Sequence, residues 1–321
     1  ACKKDQPIVV TTDDYCAAVD TVTGIMVHDI FSPPVASRIY VYPNVAAYEI
    51  IAQNSNKYES LQGQLKGLDS IPVLDAKSGV NQKLAALIAH MEVSKQLIFS
   101  EQALEQYRDS LYEKWTSENK KEFEVSRDYA LKVVDRIKIW MSKDNYKQSR
   151  TFPKFSVHTD QPGRWQPTPP AYMDAVEPFW TKIRPVSLDS SGQFQAPIPS
   201  KFDLTPGTPY YKEVMESYTT VKNLTNEQRD IANFWDCNPF KMNITGHAMF
   251  ATKKMSPGGH WLGIVGQVSR QLKKSHIQVA EAFVMTSMSI FDGFISCWDE
   301  KYRSVRIRPE TVINNSIDKK W

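Results

Sequence analysis

Apolar side chains recur every three or four residues along most of this chain, which is the spacing of a buried helical face. Val19, Val22, Ile25, Met26 and Ile30 predict a first helix. Ser32-Pro33-Pro34-Val35-Ala36 opens a second, with serine as cap and proline in the first turn. It continues through Ile39, Tyr40, Val45, Tyr48 and Ile51, and Pro43 is expected to kink it. Two long amphipathic helices are expected next, over residues 81–115 (Leu84, Leu87, Ile88, Met91, Leu97, Ile98, Leu104, Leu111) and 119–141 (Phe123, Tyr129, Val133, Val134, Ile137, Trp140). Further helices are read at 209–222, at 226–236, near Trp261, and from about Ile277 through Phe283, Ile290 and Phe294 to Trp298. No segment alternates as a strand does, and no repeat of 20–50 residues is present. The pattern therefore defines an all-α bundle.

One stretch breaks the helical rhythm. Eleven of the nineteen prolines fall within 151–209, which excludes regular helix and central strand there. Phe152, Phe155, Trp165, Tyr172, Phe179, Trp180, Phe194 and Phe202 lie in the same stretch. So many aromatic side chains predict an ordered loop wrapped on the bundle, of the length that often carries function. Residues 1–14 read as an N-terminal tether and 15–321 as a single helical domain.

Composition narrows the classes without choosing among them. Of the 321 residues, 41% are hydrophobic and 23% charged, and 39 basic against 36 acidic residues leave a net charge of +3. That excludes a disordered or collagenous chain and gives no support to nucleic-acid binding, which needs a concentrated basic face. Cys2, Cys16, Cys237 and Cys297 form no C-x-x-C pair, so neither a zinc site nor a thioredoxin-like motif is supported. Cys237 and Cys297 read as buried free thiols. The opening Ala1-Cys2-Lys3-Lys4-Asp5-Gln6-Pro7 resembles the end of a bacterial lipoprotein signal, which implies lipidation at Cys2. It also implies a membrane anchor in the cell envelope, on the periplasmic or surface face of an outer membrane. No unbroken run of about 18 apolar residues occurs, so a spanning helix is not expected.

Phosphate loops, dinucleotide fingerprints, H-e-x-x-H and G-x-S-x-G elbows are all missing. Near the end stands Lys301-Tyr302-Arg303-Ser304-Val305-Arg306-Ile307-Arg308-Pro309. One plain account of it is a basic helix C-terminus that complements the macrodipole and is stopped by proline. Lysine, six residues, then Arg-Pro also resembles the first signature motif shared by vanadium-dependent haloperoxidases and type-2 phosphatidic acid phosphatases. Other blocks resemble the bacterial haloperoxidase-like branch in the same order. These are Ser32 to Arg38 with Ala46-Ala47-Tyr48-Glu49, Gly163-Arg164-Trp165-Gln166-Pro167-Thr168-Pro169-Pro170, Pro257-Gly258-Gly259-His260-Trp261, and Phe291-Asp292 to Cys297-Trp298-Asp299.

The resemblance implies a helical fold of the vanadium haloperoxidase and acid phosphatase type. It implies that Lys301 and Arg308 bind the oxygens of vanadate or phosphate, as a compact cation and a planar fork of donors can. Two further family motifs, Ser-Gly-His and an arginine followed by histidine, do not occur, and all six histidines precede Lys301. The expectation is therefore a chain cut before those motifs. Three readings stay open: a haloperoxidase that oxidises halide with peroxide at bound vanadate, a metal-independent acid phosphatase using a phospho-histidine and no cofactor, and a non-catalytic lipoprotein or complex subunit. In the last, the 151–209 loop would be the surface for a protein partner.

Overall fold

The computed structural model describes residues 6–245 and 248–321; the expected lipidation site, Cys2, lies outside the described residues. Helix α1 (Thr12–Asp29) is opened by a capping box in which Thr11 and Asp14 satisfy each other's backbone. Helix α2 (Pro33–Ala52) is the centre of the molecule, with eighteen of its twenty residues buried. It runs on through Pro43. Next to that proline, Asn44 bonds the Tyr40 carbonyl with its side-chain amide and accepts the Tyr15 hydroxyl of α1. Helices α3 (Gln82–Lys95), α4 (Glu101–Met141) and α9 (His276–Ser304) pack around α2 and supply most of the core. By length and composition α9 could cross a bilayer, yet half of its most apolar stretch is buried inside the protein, with Phe283, Val284, Phe291 and Ile295 in the core.

The long helices differ from the sequence expectation in where they break. The chain leaves helix at residues 96–100, inside the stretch expected to be continuous over 81–115. The cause is remote: the Asp29 carboxylate accepts the backbone N–H groups of Phe99 and Ser100 at 2.9 Å each. The expected break between 115 and 119 is a single non-helical residue within α4, Asn119, whose side chain caps the following turn through the Glu122 N–H.

Residues 6–11 are not a free tether. Ile8 and Val10 are buried in the core, and the Ile8 backbone is bonded to Glu122 and Asn81. After the short α5 (Tyr146–Ser149), the proline-rich segment lies on the bundle, with Trp180, Ile183 and Val186 buried. Asp292 of α9 holds it by accepting the backbone N–H groups of Val186, Ser187 and Leu188 and the Ser187 hydroxyl. Helices α6 (Pro209–Lys222) and α7 (Asn226–Trp235) follow. An antiparallel strand pair, β1 (Lys241–Thr245) and β2 (Ala248–Thr252), was not announced by any alternation in the sequence.

Helix α8 (Pro257–Gln271) starts where Ser256 caps the Gly259 N–H. A Cβ at Gly259 would stand 2.8 Å from the Tyr40 hydroxyl of α2, so this helix start needs glycine to pack. The last helix is α10 (Pro309–Ser316), whose Val312 and Ile313 form a separate small core with Tyr210 and Val214 of α6.

Candidate active site

The motif bridges two helices. Lys301 is in the last turn of α9, and Arg308 is the residue that caps the start of α10. Between them Val305 adopts φ 46° and ψ 43°, the left-handed region, where a β-branched residue is strained by about 1–3 kcal/mol. The proline-rich segment holds it there. The Trp165 N–H donates to the Val305 carbonyl and the Ile307 N–H to the Gly163 carbonyl, each at 2.9 Å, and Arg164 pairs with Arg306 in an isolated antiparallel bridge. Gly163 itself sits at φ 83°, and a Cβ on it would come within 2.6 Å of the Phe202 ring. The Gly-Arg-Trp block therefore serves as a backbone clamp on the Lys-to-Arg-Pro segment, a role the sequence did not reveal.

The basic residues of the segment divide into two kinds. Arg303 pairs with Glu300 and lies 3.5 Å from Asp299. Arg306 donates to the Ser200 carbonyl at 2.8 Å and stands over the Tyr210 ring. Among the described residues, neither Lys301 nor Arg308 has a carboxylate within ion-pair distance or a side-chain hydrogen bond. Lys301 is half-buried, with Nζ 4.3 Å from the Trp298 ring centroid. Burial, and then the nearby positive charge of Arg308, draw its pKa below the ordinary lysine value.

Both unpaired cations line one cavity of about 460 Å³, between the proline-rich segment and the ends of α9 and α10. Trp165, Met173, Val176 and Phe240 supply apolar wall, and Asp174 and Glu310 are its carboxylates. The wall is tied to α9 by the Val176 carbonyl, which accepts Trp298 Nε1 at 3.0 Å and the Tyr302 hydroxyl at 2.6 Å. Neither carboxylate is within ion-pair distance of Lys301 or Arg308, and two like charges left unpaired in a half-buried cavity favour a bound oxyanion.

No histidine among the described residues lines this cavity. His260 lies in a neighbouring cavity of about 400 Å³, which shares Asn238 with the first. Among the described residues no group of three His, Cys, Asp or Glu side chains could hold a metal ion. The cysteine expectation is also revised: Cys16 is buried, Cys237 half-buried and Cys297 exposed, and all three are free thiols.

No protein-family model matches the sequence, and no curated protein matches it. Among solved structures, the crystal structure of the first bacterial vanadium-dependent iodoperoxidase matches with a TM-score of 0.93 at 50% sequence identity, over 99% of this chain and 75% of that one. An all-α fold, the motif blocks in order and this identity place the chain in the vanadium-dependent haloperoxidase superfamily. Within it, the chain is similar to an iodoperoxidase of the bacterial branch.

Proposed function

We propose that this chain carries the oxyanion-binding part of a vanadium-dependent haloperoxidase that oxidises iodide with hydrogen peroxide. The observation behind this reading is the pair of unpartnered cations, Lys301 and Arg308, on one cavity of a chain 50% identical to an iodoperoxidase. The pair fits the negatively charged oxygens of vanadate: a guanidinium offers two parallel donors, and an ammonium offers a compact charge. When bound, vanadate would supply Lewis-acid activation of peroxide toward two-electron oxidation of halide.

The protein's own contribution is positional. The Gly163–Trp165 clamp fixes the turn at Val305, and the α6–α10 cluster fixes the start of α10. Lys301 Nζ, its proton held less tightly because of burial and Arg308, is the better hydrogen-bond donor toward oxygens that gain charge. The aromatic and aliphatic wall limits water around these donors and so strengthens them. The net reaction, iodide plus peroxide plus a proton giving hypoiodous acid and water, consumes one proton per turnover.

The test is an iodide oxidation assay with hydrogen peroxide, on protein incubated with vanadate and on protein without it. Vanadate-dependent formation of oxidised iodine, lost in Arg308→Ala, is the expected result. Hydrolysis of a phosphate ester without vanadate, with no iodide oxidation, would overturn this reading in favour of a phosphatase.

A further inference from the structure

Beside the oxyanion cavity lies a second pair of reactive side chains that the proposed reaction does not use. Cys237 Sγ is 3.0 Å from His260 Nδ1. The imidazole is held in place: it stacks on Trp235 at 4.8 Å between centroids and an interplanar angle of 17°, and Phe234 packs edge-on at 5.1 Å. Its backbone is fixed in the first turn of α8, where the His260 N–H donates to the Ser256 carbonyl. Both side chains open on the cavity of about 400 Å³, whose wall also includes Pro33, Trp261, Phe294 and Trp298. Trp298 is the ring over which Lys301 Nζ stands, so the thiol lies one side chain away from the oxyanion site.

The chemistry of the pair follows from its surroundings. Burial, and then the negative charge of Asp236, push the Cys237 thiol above its ordinary pKa, with Lys254 opposing them. At neutral pH the sulfur is therefore protonated, with Nδ1 at hydrogen-bond distance from it. A thiol in this state is a poor nucleophile unless a base takes its proton as the sulfur attacks. His260 is the base in reach. The cavity is large enough for a small oxidant to reach the sulfur.

We propose that Cys237, with His260 as its proton acceptor, is a peroxide-reactive thiol that forms a sulfenic acid. In the step, the sulfur attacks one oxygen of hydrogen peroxide, the S–O bond forms and the O–O bond breaks. The Sγ proton passes to His260 Nδ1, and the imidazolium returns a proton to the departing hydroxide, which leaves as water. Sulfur is oxidised by two electrons and peroxide is reduced by two, so thiol plus peroxide gives sulfenic acid plus water. The step needs no vanadate and stands independently of the proposed halide chemistry.

The experiment exposes the protein to hydrogen peroxide at neutral pH in the presence of dimedone, which traps sulfenic acids, and reads adducts at each cysteine by peptide mass spectrometry. In the wild type an adduct at Cys237 is expected and none at buried Cys16. In His260→Gln the rate at Cys237 falls roughly tenfold or more, the contribution of a positioned base, while the rate at exposed Cys297 stays the same. No adduct at Cys237 in the wild type overturns the proposal without recourse to a variant. An unchanged Cys237 rate in His260→Gln, with Cys16 still protected and the protein therefore folded, overturns the role of the histidine.

Discussion

Two pairs of residues show what the protein does with positive charge. In the core, Arg38 of α2 meets Asp144 at 2.6 Å, with side chains 9% and 1% exposed. The remaining capacity of that carboxylate is filled by the Tyr42 hydroxyl and the Tyr146 N–H, and Arg38 stacks on the Tyr146 ring at 4.3 Å. At the ends of α9 and α10, Lys301 and Arg308 share a cavity and have no carboxylate partner among the described residues. The first arrangement is finished by the protein, and any missing partner would leave a buried charge. The second has no such partner among the described residues, and under the proposed function an anion from outside would complete it. Charge satisfaction, more than residue type, separates a structural arginine from a binding one.

The comparison can be broken at the finished end first. Asp144→Ala strands Arg38 and is expected to cost about 3–5 kcal/mol of stability, measured by denaturant unfolding. A cost below 1 kcal/mol would mean that the core pair is not what fixes α2 against the turn after α4. Next comes the clamp. Gly163→Ala places a Cβ against Phe202 at a positive φ, and is expected to cost about 1–3 kcal/mol locally. Oxyanion affinity should fall several-fold in this variant with the Arg38–Asp144 pair untouched, as followed by vanadate titration.

The smallest effect has the most informative sign. Lys301 carries a lowered pKa, so the folded state binds its proton less well than the unfolded state does. That penalty is complete below the folded pKa and disappears as pH rises toward the ordinary lysine value of 10.5. Lys301→Met is therefore expected to gain a little stability at neutral pH, to lose that advantage as pH rises through this window, and to bind oxyanion weakly. Unfolding curves at neutral pH and near pH 10 check the sign. A variant less stable than the wild type at neutral pH would contradict the unpaired-cation account.

The helices were legible because each presents its apolar stripe locally: the face of α4 with Phe123, Val133, Val134 and Ile137 needs no knowledge of the rest of the chain. The break at 96–100 was not, because it is made by Asp29 some seventy residues earlier. Ile8 and Val10 looked like part of a tether because two isolated apolar residues carry no period, yet they seat in the core. At the site, the sequence named Lys301 and Arg308 through a spacing. It could not separate them from Arg303 and Arg306, since the partners Glu300, Ser200 and Tyr210 become visible only once the chain is folded. The clamp at Gly163 and Trp165 was visible as a block of residues, but its backbone partners, Val305 and Ile307, lie some 140 residues downstream. Cys237 and Cys297 read alike as thiols, and the fold sets them apart by exposing one and placing His260 against the other.

The central claim is that Lys301 and Arg308 are left unpaired for an oxyanion. Calorimetric titration of vanadate into the wild type and into Arg308→Ala tests it most directly. Removing charged hydrogen bonds worth about 1.5–3 kcal/mol predicts binding weaker by roughly 10- to 100-fold in the variant, with an unchanged unfolding midpoint. Equal affinity in the two proteins would contradict the account.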